Sequence, residues 1–127
     1  MSDHQKNGQS VFEEIFGHAR ANEIKQTLQA LSPDLARIGI DFPFGEFYAK
    51  DDLLDLKSRE LITLSTLITQ GTLPQLKIHI EAALHVGCTP IQIEQTILQL
   101  IIYVGMPKVI NAMKVFKEVL AEQQAAT

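Results

Sequence analysis

Two helix-start signals of the same design, Thr72-Leu73-Pro74-Gln75 and Thr89-Pro90-Ile91-Gln92, constrain this chain more than any other feature. Each fits a capping box, in which the threonine hydroxyl takes the amide three residues on and the glutamine reaches back to the threonine amide. Proline in the first turn removes no helical bond, because that N–H has no intrahelical acceptor. Gly71 and Gly87 stand just before them as helix stops. Between the two boxes, Leu73, Leu76, Ile80, Ala83 and Leu84 form one apolar stripe. Upstream, Asp55 can cap a helix from about Leu56 to Gln70, whose Leu61, Leu64 and Ile68 follow the i, i+3, i+7 rule. The pattern predicts an antiparallel helical hairpin closed at Gly71-Thr72.

The rest of the chain reads the same way. Val11, Phe12, Ile15 and Phe16 predict a first helix from Ser10 to Gly17, and a second runs near Asn22 to Leu31. Ser32-Pro33 starts a third, carrying Leu35, Ile38 and Phe42, with a kink or break near Asp41 forced by Pro43. The aromatic segment Phe44-Gly45-Glu46-Phe47-Tyr48 follows. From Pro90 to Val104 apolar residues cover so much of the circumference that a central, buried helix is predicted. Gly105 and Pro107 mark the joint to a last helix with Val109, Met113, Phe116 and Leu120, before the polar tail EQQAAT. Strand-like alternation is weak throughout, so the expected fold is an all-α, single-domain helical bundle of about six helices with a central hairpin.

Composition narrows the function classes. A chain of 127 residues is long enough for one core and too short to expect two domains. Its net charge is −4 and its lysines and arginines are scattered, which argues against nucleic acid or an anionic membrane as partner. No apolar run is long enough to span a bilayer, and the polar start MSDHQKNGQS lacks a signal-peptide layout, so a cytoplasmic location is expected. Apolar residues make up 46% of the chain, which implies apolar surface buried between subunits. Cys88 is the single cysteine, so no intrachain disulfide or cysteine metal cluster can form.

Glu60 and His79 are the candidate chemistry. With the hairpin closed at Gly71, Glu60 lies ~17 Å and His79 ~11 Å from the turn at the α-helical rise, an offset of about one helical turn. Their side chains can bridge that gap directly or through one water, giving a partly buried carboxylate–imidazole pair suited to acid–base work. Arg59 and Lys77 flank the pair and can hold a substrate carboxylate or serve as solvated surface charges; Glu46 is a further candidate for the pocket wall. A metal site is not expected, since His79 and His85 face apart and Glu81 alone adds too little. No cofactor is implied.

The run Leu56-Lys57-Ser58-Arg59-Glu60-Leu61-Ile62-Thr63-Leu64, then Gly71, Leu76-Lys77-Ile78-His79-Ile80-Glu81-Ala82-Ala83-Leu84, Gly87-Cys88-Thr89-Pro90 and Tyr103-Val104-Gly105-Met106-Pro107 resembles the carboxymuconolactone decarboxylase family. The likeness spans about residues 30 to 120, with the first helices as an N-terminal extension. It implies the all-helical alkyl hydroperoxidase D-like fold and assembly into homo-trimers or homo-hexamers. One branch decarboxylates 4-carboxymuconolactone; another reduces peroxides with a C-x-x-C pair served by a glutamate and a histidine. By that resemblance the relay residues fall on Glu60 and His79, while the two cysteines fall on Thr72 and Gln75. The expectation is therefore decarboxylation or isomerisation of a small carboxylated lactone by His79 and Glu60, with Arg59 and Glu46 binding substrate. Two rivals stand beside it: an antioxidant using Cys88 with an external thiol, and a non-enzymatic oligomeric binding protein.

Overall fold

A computed structural model describes residues 7–126, and among them the chain is all-α, with eight α-helices and one π-helical turn. Residues 1–6 of the polar start and Thr127 of the tail lie outside the described residues. The chain divides after Leu56 into two compact units.

In the first unit, α1 (Gly8–Phe16), α2 (His18–Leu31) and α3 (Pro33–Pro43) pack on one another and on a π-helical turn, Phe44–Tyr48. Asn7 caps α1, its side-chain oxygen accepting the Ser10 amide at 2.8 Å. Val11, Phe12, Ile15 and Phe16 are buried, as their spacing predicts. The Phe44 ring stands edge-on to Phe12 and Phe16 with centroids 5.1 and 6.1 Å away, and Tyr48 lies tilted beside it at 4.9 Å. Gly8 lets α1 cross close to the end of α3: a Cβ there would lie 2.7 Å from the Asp41 Cα.

Ser32 caps α3 as its sequence predicts, accepting the Leu35 amide at 3.2 Å. The break predicted near Asp41 comes later and takes another form. Helix α3 runs through Pro43 and then widens, the Ala49 amide reaching the Phe44 carbonyl five residues back at 3.0 Å. The face of α3 assigned to packing is also exposed: Leu35, Ile38 and Phe42 look outward, while Ala36 and Ile40 are the buried positions.

The second unit holds α4 (Leu56–Gln70), α5 (Leu73–His85), α6 (Pro90–Gln99), α7 (Ile101–Val104) and α8 (Met106–Ala126). Its core is aliphatic but for one ring: Leu64 and Ile68 from α4, Leu76, Ile80 and Ala83 from α5, Ile93 and Ile97 from α6, and Val109, Phe116 and Val119 from α8. Helix α8 packs along α5 and α6, and Lys77 on α5 ties to Glu118 and Glu122 of α8 at 3.2 and 3.1 Å.

The two predicted capping boxes have different fates. At α6 the box is complete, with Thr89 Oγ1 accepting the Gln92 amide at 3.1 Å and the Gln92 side chain accepting the Thr89 amide at 2.9 Å. At α5 it does not form. The connection after α4 is so short that Thr72 must also end that helix: its amide donates to the Leu67 carbonyl at 3.1 Å, and its hydroxyl turns back to the same carbonyl at 3.4 Å. With Gly71 at φ +74° this is a Schellman stop, which uses up the residue that a box needs. After α5, Cys88 takes that role, donating its amide to the Ala83 carbonyl at 2.9 Å, and leaves Thr89 to cap α6.

The single buried helix predicted from Pro90 to Val104 is two helices broken at Leu100, and only one side is covered. Ile93, Ile97 and Leu100 are buried, while Ile91, Leu98, Ile101, Ile102 and Tyr103 are exposed. Among the described residues no helix is long and apolar enough to cross a membrane.

Candidate active site

The site forms inside the second unit, where the hairpin of α4 and α5 brings two side chains together. Glu60 faces inward because it shares the α4 stripe with Leu64, one turn on; His79 sits one residue before Ile80, at the edge of the α5 stripe. The Schellman turn at Gly71 sets the two helices in register. Glu60 Oε1 and His79 Nδ1 lie 2.8 Å apart, so the contact is direct and needs no bridging water.

Burial divides the pair. Glu60 is 0% exposed, the one buried charged side chain among the described residues, whereas the His79 side chain keeps 19% of its surface. The second carboxylate oxygen, Oε2, is enclosed and has no hydrogen-bond partner. The enclosed acid thus faces a partly accessible imidazole through one ring nitrogen. When Glu60 is ionised, its Oε1 accepts from Nδ1–H, which holds the ring in one tautomer and orientation.

The other candidates occupy different settings. Arg59 is half-buried in the first turns of α4, next to Glu60, and its carbonyl accepts the Thr63 hydroxyl at 2.9 Å. Glu46 belongs to the first unit and is exposed on the π-helical turn. Lys77, read from sequence as a flank of the pair, is committed to Glu118 and Glu122 on α8. Those two hydrogen bonds, Glu122 first, hold its ammonium above the ordinary lysine range. Sequence spacing could not reveal this, because the acids lie more than forty positions downstream; their i, i+4 repeat on one face of α8 was the available signal.

Cys88 is 4% exposed and its thiol donates to the Lys57 carbonyl at 3.7 Å, the setting of a small packed side chain more than of a reactive thiolate. His85 is exposed at the end of α5. Thr72 is half-buried in the turn and Gln75 is exposed. Among the described residues no group of three or more His, Cys, Asp or Glu side chains is placed to hold a metal ion.

Comparison with known proteins places the all-helical chain in a family. The carboxymuconolactone decarboxylase family model matches residues 33–118, and the chain belongs to that family. It is 27% identical over 124 residues to the 4-carboxymuconolactone decarboxylase of Acinetobacter baylyi, covering 96% of this chain and 92% of that one. It is 30% identical over 100 residues to an uncharacterized 15.0 kDa protein of Paracoccus denitrificans, covering 77% of this chain and 74% of that one. A shorter likeness, 34% over 67 residues, relates 53% of this chain to 47% of a nitrosuccinic acid decarboxylase of Metarhizium robertsii.

Proposed function

We propose that this protein is a carboxy-lyase or isomerase acting on a small carboxylated, lactone-type substrate, with His79 as general acid and base. The observation that carries the reading is the 2.8 Å contact between an enclosed Glu60 and a partly accessible His79. Two relatives whose names are those of decarboxylases support it, one of them alike over nearly the full length of both chains.

The step balances without an added reactant. The carboxylate leaves as CO2, and the electron pair of the broken C–C bond moves into the conjugated system ending at the lactone carbonyl, giving a dienolate. As the imidazolium, with Nδ1–H held by Glu60, His79 gives its Nε2 proton to the dienolate carbon, and the neutral imidazole takes a proton from solvent before the next turnover. Glu60 holds the ring and balances the positive charge it carries before that proton leaves. Arg59, one residue away, holds a substrate carboxylate through its planar fork of donors.

The test is release of CO2 from 4-carboxymuconolactone by the wild type, His79→Ala and Arg59→Met. The wild type turns over, His79→Ala loses about 10²–10⁴-fold in kcat, and Arg59→Met raises KM more than it lowers kcat. No turnover by the wild type rejects the substrate. Equal turnover by the wild type and His79→Ala rejects the role of the histidine.

A further inference from the structure

The first unit holds a cleft that the chemistry of Glu60 and His79 does not use. It has a volume of about 220 Å³ and lies between α2 and α3, beside the start of α1. Helical spacing builds it: Lys25 and Gln29 stand one turn apart on α2, Arg37 and Asp41 one turn apart on α3, and Gln9 comes from α1. The close crossing at Gly8 brings Gln9 to the cleft. Ala36, the smallest side chain of the lining, is buried at 2% and leaves room that a longer side chain would fill. A seam between packed helices is ordinarily apolar, whereas here polar side chains from three helices converge.

The charges of this cleft do not neutralise one another. The Lys25 ammonium is half-buried, and its bond is to the neutral Gln9 Oε1 at 3.2 Å. Asp41 follows Arg37 by four residues, the spacing of a helical ion pair, yet the guanidinium turns to Asp34 at 3.4 Å. That contact takes one of the five N–H donors of Arg37, and the bond to Gln9 takes one of the three of Lys25. Two cations and one carboxylate therefore line a small cavity with bonding capacity to spare.

We propose that this cleft binds a small molecule with two carboxylates and one ammonium, the chemistry of an acidic amino acid. Lys25 and Arg37 take one carboxylate each, the guanidinium through its planar fork, and Asp41 takes the ammonium. Gln9 and Gln29 supply amides that can donate or accept beside them. The volume is below the ~300–1,000 Å³ of sites for drug-sized ligands, which suits an occupant of this size. A simple dicarboxylate would satisfy the two cations and leave Asp41 facing like charge, so the amine sets the preference. The site is separate from the reaction proposed above, and its test reads binding and not turnover.

The experiment is isothermal titration calorimetry of the full chain at low ionic strength, where exposed charges are least screened. The ligands are L-aspartate and succinate, which has the same carbon skeleton without the amine. The proteins are the wild type, Lys25→Met, Arg37→Met, Asp41→Asn and, as a control on the exposed side of α8, Lys114→Met, with far-UV circular dichroism to report folding. The wild type binds L-aspartate saturably and about tenfold or more tighter than succinate, the scale of one charge-assisted hydrogen bond. Lys25→Met and Arg37→Met each weaken L-aspartate by about the same factor. Asp41→Asn abolishes the preference over succinate, and Lys114→Met changes neither ligand. Arg37 and Asp41 are exposed, so their variants decide the matter if Lys25→Met does not fold. No saturable binding of L-aspartate by the wild type overturns the proposal. So do equal wild-type affinities for the two ligands, folded cleft variants that bind as the wild type does, or a Lys114→Met that weakens binding as much as they do.

Discussion

The two units solve the problem of a small core in different ways. The first is held by shape: four aromatic rings, Phe12, Phe16, Phe44 and Tyr48, gather where α1 passes close to α3 at a glycine. The second is held by aliphatic packing around α5 and α8, yet it encloses an acid, Glu60, that shape alone would expel. A buried carboxyl group is tolerated only with a partner, and His79 supplies it. The contrast singles out position 60, because packing alone would favour an aliphatic side chain there. The units should therefore fail for different reasons when single side chains are changed.

The largest effect is expected at the pair. His79→Ala leaves Glu60 enclosed with neither oxygen bonded, and should cost about 3–5 kcal/mol of unfolding free energy, the range for breaking a buried charged pair from one side. Glu60→Leu removes the group that needs a partner, and His79→Ala in that background should cost much less than it does alone. A double-mutant cycle by urea unfolding measures the difference. Additive losses would show that the second unit, like the first, is held by packing, and would take the structural premise from the proposed chemistry.

The next effect probes the first unit. Gly8→Ala places a Cβ against the Asp41 backbone, which has no flexible end to yield, and should destabilise by about 1–3 kcal/mol. Gly39→Ala is the matched control: it lies inside α3 with nothing within 4 Å of its added carbon, and should stabilise by roughly 0.5–1 kcal/mol through helix propensity. Thermal melts of the two variants with opposite signs would establish that close approach, and not glycine flexibility, explains position 8. Equal signs would remove that explanation.

Much of this was legible in the sequence. The all-α fold, the buried face of α1, the Ser32 cap, the hairpin turn and the meeting of Glu60 with His79 follow from periodicities of 3.6 residues and from local stop signals, which act over one or two turns. What escaped depends on partners distant along the chain. The commitment of Lys77 to Glu118 and Glu122, the crossing at Gly8 and the one-sided burial of α6 are set by which helix lies alongside, and no local pattern encodes that. Exposure of Leu35, Ile38 and Phe42 has the same origin: an amphipathic stripe shows that a face is apolar without showing what covers it.

The smallest effect separates two identical-looking signals within the second unit. Thr89→Ala removes an acceptor that binds the Gln92 amide at 3.1 Å and breaks a reciprocal pair, so it should cost about 1 kcal/mol. Thr72→Ala removes only a long 3.4 Å bond to a carbonyl already served by two backbone amides, and should cost a few tenths of a kcal/mol at most, below the usual cap value. Chemical denaturation of the two variants under one set of conditions compares them directly. Counted from the glycine stops, the difference is a single residue: where Gly87 is followed by Cys88 to end one helix and Thr89 to begin the next, Gly71 is followed by Thr72 alone, which must do both. Inserting one residue between Gly71 and Thr72 should restore the cap but rotate and shift α5 relative to α4, separating His79 from Glu60. The shorter turn thus gives up a cap and keeps the register on which the carboxylate–imidazole contact depends.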